Sequence, residues 1–292
     1  MQKVTYVNLY GEAITFSGET PYILASVSGL SRSSGKLVTS QGAYQDGQTI
    51  YRAQLAAKKV AVTFNVFGCG TREELYKKRE RIEHVLSYGR CVKDGKCGYL
   101  IYENDAGAWR MDAVPDGAVT YGKRFLNSLP NCRVSFTSAG AYLSSNTEET
   151  KTMSMGKGGL KLPTKLPIHL GTRLFETEIV NEGSVEAPVM LTIYGTGESP
   201  KVVNYTTGEQ IVVNKIIETG SRLEIDTDPD KLSCVLIDED GTQTDAFGYL
   251  DASMAVSAFT LAPGINNVEY LPSVPSMESR VDVRWRARRE GV

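Results

Sequence analysis

From Val60 to Val66 the sequence alternates without a break, with Val60, Val62, Phe64 and Val66 on one face and Ala61, Thr63 and Asn65 on the other. A period of two belongs to an extended strand with one buried face. A chain holding such a strand must supply neighbours that pair with it and a second layer that covers its apolar side. The sequence offers many candidates. Met1–Tyr10 reads as a strand, lacking both the apolar stretch and the small-residue cleavage site of a secretory signal. Further strands are expected at Tyr99–Tyr102, Arg110–Val114 and Cys132–Thr137.

One helix interrupts this pattern. Thr71 and Glu74 form a capping box ahead of Leu75, Ile82, Val85 and Leu86, which recur at helical spacing and make a single apolar stripe. Lys77, Lys78, Glu80 and Arg81 face water, and Gly89 suits the left-handed position after the last turn, so the helix is placed at about residues 71–88.

A length of 292 residues fits two cores. The stretch SSNTEETKTMSMGKGGLKLPTKLP, residues 144–167, is polar and without period, and reads as a linker between domains at 1–143 and 168–292. Beyond it strands are expected at Phe175–Asn181, Val189–Tyr194, Lys201–Tyr205, Gln210–Val213, Leu223–Asp226, Cys234–Ile237, Phe259–Leu261, Val268–Leu271 and Val281–Ala287. Short strands at such spacing, separated by Gly, Asn, Pro or Asp, are the pattern of a β-sandwich. The expected class is therefore mainly β: an α+β first domain with one helix, then a sandwich.

The net charge of −2 conceals two opposite halves. Residues 1–140 carry 18 basic and 12 acidic side chains, and residues 141–292 carry 14 and 22. Glu209–Asp251 alone holds 11 acidic and three basic residues. No apolar run is long enough for a membrane helix, and the whole-chain charge gives no reason to expect sequence-specific nucleic acid as a partner. Opposite patches on copies of one chain can steer self-association. Near the C-terminus Arg280, Arg284, Arg286 and Arg288 alternate with Val281, Val283, Trp285 and Ala287, giving either a solvated face that pairs with neighbouring carboxylates or a contact surface. Gly29–Lys59, with turn signals at Ser34-Gly35, Gln41-Gly42 and Asp46-Gly47, reads as a long hairpin or arm whose Tyr44, Ile50, Tyr51 and Leu55 are candidate interface residues.

Chemistry finds little support. Five cysteines (Cys69, Cys91, Cys97, Cys132, Cys234) are an odd, sparse set that fits reduced thiols or one disulfide; Cys91 and Cys97 could face each other across a hairpin, but neither His84 nor His169 sits at a spacing that would complete a metal site. Asp226, Asp228 and Asp230 imitate the start of a calcium loop, yet Lys231 and Ile237 stand where Gly and Glu belong. Glu73 occupies the third glycine position of a dinucleotide fingerprint after Gly68 and Gly70, and Gly156-Lys157-Gly158 lacks the rest of a P-loop. Two histidines in unpromising settings supply few catalytic triads, and no Gly-x-Ser-x-Gly elbow occurs. No catalytic residue, metal ligand or cofactor site is expected, and the chain is read as not an enzyme. A glycan hydrolase would need a carboxylate pair in a cleft, for which composition gives no support.

Two stretches resemble the distal tail (Dit) family of tailed bacteriophages and tail-like particles. The first is the strand Val60–Phe67, the helix with Glu74, Leu75, Arg79, Ile82 and Leu86, the Gly89 turn and the closing strand Arg133–Phe136. The second is the ordered series Asn181-x-Gly183, Ile193-Tyr194-Gly195, Pro200, Asn204, Thr206-Thr207-Gly208, Ile211, Gly220, Leu223, Ile225-Asp226-Thr227 and Pro263-Gly264-x-Asn266. Gly140-Ala141-Tyr142 stands where the family often has Asp-Pro-Tyr, and the second domain has no long insertion. The resemblance implies a hexameric ring, built by the first domain, between the tail tube protein and the tail tip or baseplate hub protein. It also implies an outward galectin-like sandwich, a place in the virion tail and synthesis in the bacterial cytoplasm. The alternative is a carbohydrate-binding sandwich for host-surface recognition, using Trp109 or Trp285.

Overall fold

A computed structural model describes residues 2–154, 176–195, 199–272 and 279–292. The chain forms two compact units: Met1–Asn146 together with Arg289–Val292, and Thr147–Arg288. It is mainly β, as the alternation requires.

The first unit is a two-sheet packing. One sheet runs in the order Ala13–Phe16, Lys3–Val7, Tyr99–Asn104, Gly107–Asp112, Leu143–Ser145, Arg288–Arg289; the other runs Val114–Pro115, Leu129–Thr137, Lys59–Val66, Tyr22–Ser28. Val60, Val62, Phe64 and Val66 are all fully buried, at the centre of the smaller sheet. Aromatic pairs join the layers: Tyr6 stacks on Phe136 with centroids 4.9 Å apart, and Phe16 meets Phe64 at 4.5 Å.

The helix Arg72–Val85 packs Leu75, Ile82 and Val85 into this core. Thr71 Oγ1 accepts the Glu74 amide at 3.2 Å, while the Glu74 carboxylate takes the Gly70 amide at 2.8 Å, so the reciprocal bond reaches one residue before the cap. The helix stops earlier than expected. Leu86 is its C-terminal cap, and Gly89 lies inside a separate four-residue helix, Tyr88–Cys91, with no left-handed φ. The extended Ser87 (φ −61°, ψ 131°) breaks the run and starts the second turn.

In the second unit one sheet is ordered Glu149–Ser154, Arg280–Trp285, Ala187–Tyr194, Arg222–Asp226, Ser233–Ile237, Gln243–Asp245; another is ordered Glu176–Asn181, Gly264–Leu271, Lys201–Asn204, Glu209–Val212. Helix is confined, among the described residues, to two 3-10 turns, Phe247–Tyr249 and Val256–Ala258. Two boundaries differ from expectation. Part of the stretch read as linker is strand, since Glu149–Ser154 pairs with Arg280–Trp285 and buries Met153. Residues 289–292 belong to the first unit, where Val292 N donates to Leu30 O at 3.2 Å. The rest of that stretch, residues 155–167, lies outside the described residues, as do Gly156-Lys157-Gly158, His169 and Phe175.

The motif residues of the second unit act on the backbone. Asn181, Asn204, Thr227 and Asn266 are buried. Asn181 Nδ2 donates to Val185 O and Leu261 O while its Oδ1 accepts the Gly183 amide. Asn266 takes the Ala262 amide and donates to the carbonyls of Ala262 and Gly264, and Asn204 Nδ2 joins Asn266 Oδ1 to Thr260 O. Thr227 Oγ1 accepts from Val189 N at 2.9 Å. Gly183 and Gly195 leave room for close backbones: a Cβ would sit 2.5 Å from Arg288 O and from Glu218 O, respectively. These residues specify strand connections, because buried peptide groups outside a ladder require partners.

Candidate assembly surface

The arm is a two-stranded ribbon, Gly35–Ser40 against Thr49–Leu55, paired with no other strand among the described residues. A register shift between Val38 and Thr39 leaves Tyr51 as the additional residue. Its turn is self-contained: Gln45 Oε1 accepts the Gly42 amide, and its Nε2 donates to Thr49 Oγ1. Leu37, Ile50 and Tyr51 are 54–68% exposed and Tyr44 wholly so, whereas Leu55, at the base, is half-buried. An isolated hairpin is marginal in water, and this one carries exposed apolar residues on both strands.

The roots of the arm are firm. Lys58 is buried to 1% exposure, and its ammonium donates to Ser31 O at 2.7 Å and Glu290 O at 2.8 Å. Burial pulls its pKa below the usual lysine value, against the pull of Glu290. Lys58 N donates to Gly140 O, Ser138 N to Lys58 O, and Ala56 N to Ser34 O. Arg289 lies over the Trp109 ring at 4.4 Å, fixing residues that enter beside this base. Sequence reasoning missed this lysine. Its acceptors are backbone carbonyls distant in sequence, which no side-chain pattern announces.

The arginine row is engaged within its own unit. Val281, Val283, Trp285 and Ala287 are buried, as the alternation requires. Arg288 pairs with Asp228 at 2.6 Å, Arg286 with Glu148 at 3.6 Å and Arg280 with Asp282 at 3.4 Å; Arg280 also covers the Tyr194 ring, and Arg284 donates to Thr192 Oγ1. Arg280 thus pairs along its own strand, while Arg284, Arg286 and Arg288 meet groups on other segments.

Four of the five thiols are held in the protonated form by their surroundings. None of the five cysteines is joined in a disulfide among the described residues. Burial raises the pKa of Cys91 and Cys132 and pushes Cys234 up to about 12; burial, then Glu74, raises Cys69. Among the described residues no three His, Cys, Asp or Glu side chains are grouped to hold a metal, and no helix is long and apolar enough to cross a membrane. Trp109 and Trp285 are 7% and 6% exposed, so neither indole offers a flat face to a sugar.

The family model for the siphovirus-type tail component, C-terminal domain, matches residues 182–288. The second unit is a Dit-type tail component domain. The resemblance in its ordered Asn and Gly positions is thereby borne out. The fold of the whole chain is similar to SPP1 Dit, a protein described as a paradigm of the hub adsorption apparatus in phages infecting Gram-positive hosts, with 13% identity over 99% of each chain and a TM-score of 0.67. It is also similar to chains of the phage p2 baseplate in its activated conformation, with calcium and with strontium, at 15% identity over 97% of this chain and a TM-score of 0.54 in each case. Comparison with curated proteins finds no match. Residues 182–288 thus match a phage tail component domain, and over the whole chain the likeness to the hub and baseplate proteins is one of fold.

Proposed function

We propose that copies of this Dit-type chain close into a hexameric ring that joins the tail tube to the tail tip or baseplate hub, with the first unit building the ring and the galectin-like second unit outside it. The work is geometric rather than catalytic, and its place is the virion tail after synthesis in the bacterial cytoplasm. The observation that carries this reading is the arm: an unsupported ribbon exposing Leu37, Tyr44, Ile50 and Tyr51 on roots held by a buried lysine. A ring requires each copy to present two different patches, and an arm reaching the next copy is one of them. Apolar side chains on the ribbon gain area only when such a neighbour covers them.

Native mass spectrometry and sedimentation of the full chain test the reading. Ile50→Asp with Tyr51→Ser should lower the assembly state while leaving thermal unfolding unchanged, because neither side chain belongs to a core. Assembly identical to the parent would remove the arm from the interface.

A further inference from the structure

A second exposed feature of the first unit is as specific as the arm. Lys123, Arg124, Phe125 and Leu126 are consecutive and all exposed, with Phe125 at 68% and Leu126 at 76%. They lead into a two-residue turn closed by Phe125 N to Ser128 O at 3.1 Å and Ser128 N to Phe125 O at 2.9 Å. Leu126 has φ +49°, while Asn127 is not left-handed. A positive φ at the first central position alone is where such a turn favours glycine. A bulky apolar side chain there is strained and, in the isolated chain, gains nothing from burial. The turn is nevertheless fixed, since Asn127 Nδ2 donates to Gly70 O at 2.9 Å beside the helix start. The feature is therefore a rigid apolar prong with two cations behind it, neither of which has an ion-pair partner among the described residues.

The second unit carries the complementary chemistry. Gln243–Asp245 is the outermost strand of its larger sheet and wholly exposed. The turn before it holds Asp238, Glu239 and Asp240, and Asp245 and the 39%-exposed Phe247 follow. No cation pairs with these four carboxylates among the described residues. Carboxylates on an outer strand keep it from pairing indiscriminately with other strands, and a cationic prong is the approach they favour.

We infer that the Lys123–Leu126 prong of one copy docks on the acidic outer edge Asp238–Phe247 of a second copy, Phe125 and Leu126 burying against Phe247 while Lys123 and Arg124 face the carboxylates. This rests on the self-assembly reading and gives the ring a contact separate from the arm. Such contact between two different patches of one chain is the kind that closes rings.

The test uses the full chain and its association constant by sedimentation. Leu126→Asn places a residue that tolerates positive φ at the strained position. It should hold or raise the thermal midpoint while weakening association at least tenfold, a pairing that a merely structural residue would not show. The double variants Lys123→Glu/Arg124→Glu and Glu239→Lys/Asp240→Lys should each associate poorly alone and recover when mixed, since each then meets an opposite charge on its neighbour. Unchanged association in Leu126→Asn and the charge-reversed prong overturns the proposal. Weakened prong variants that fail to recover in the mixture overturn the second copy as occupant. A parent chain that stays monomeric overturns the ring reading with it, whereas a parent ring indifferent to the prong leaves that reading standing.

Discussion

Replacing Lys58 by methionine removes the ammonium and keeps most of the side-chain volume. Two part-buried carbonyls, Ser31 O and Glu290 O, then lose donors at 2.7 and 2.8 Å. An orphaned buried acceptor costs about 1–3 kcal/mol, and part-buried ones fall toward the lower end of that range. Against that loss, methionine avoids the desolvation that lowers the pKa of Lys58. The two carbonyls lie on different segments, so the vacated site cannot close by a single shift; the expected net loss is about 2 kcal/mol or more. The chain has two tryptophans, one in each unit, so a Trp285→Phe background leaves Trp109 reporting on the first unit alone. Its indole lies beneath Arg289, which makes it sensitive to departure of residues 289–292. Urea titration of Lys58→Met in that background should show an earlier transition, and amide exchange should speed at Ala56 and Val292, whose donors close the arm base and the tail. A change within about 0.5 kcal/mol, typical of surface substitutions, with unaltered exchange at both amides would refute the clamp.

Asn266→Ala should destabilise the second unit by about 2–5 kcal/mol, because it strands the Ala262 amide, two carbonyls and Asn204 in a buried network; Trp285 fluorescence in a Trp109→Phe background measures it, and a cost below about 0.5 kcal/mol would mean the network is not needed. Asp226 is held above its ordinary pKa by burial, with the Asp228 amide opposing, the Asp228 charge adding to the rise, and Lys231 and Arg288 countering it. A carboxyl whose folded pKa is raised contributes stability below its unfolded pKa and loses it as pH rises through the folded value. Asp226→Asn, which keeps an oxygen for the Asp228 amide, should therefore stabilise the second unit near neutral pH, with the gain shrinking toward about pH 4; a gain that grows in acid would contradict the sign.

Local rules made much of this fold legible. Alternation at Val60–Val66 located a central strand, and Thr71 with Glu74 located the start of the helix, since both signals are set by neighbours in sequence. The strand Glu149–Ser154 was obscure for a physical reason: it buries only Met153 among polar residues, so its ladder with Arg280–Trp285 leaves almost no hydrophobic trace. The return of residues 289–292 to the first unit, and Lys58 as the cation that receives them, depend on backbone acceptors brought together from distant segments. Of the candidate surface, the arm was visible through its glycines and exposed tyrosines. The prong was not, because Leu126 announces itself only through its backbone angle. The arginine row showed its alternation in the sequence, while the partners Asp228 and Glu148 became evident only from the folded chain.

The central claim is closed self-assembly, and imaging the full chain in its native assembly by electron microscopy tests it most directly. The account expects a six-fold ring with the tail tube on one side and the tip or baseplate on the other. A purified chain that stays monomeric at high concentration in low and moderate salt, together with particles lacking it that still join tube to tip, would contradict the account.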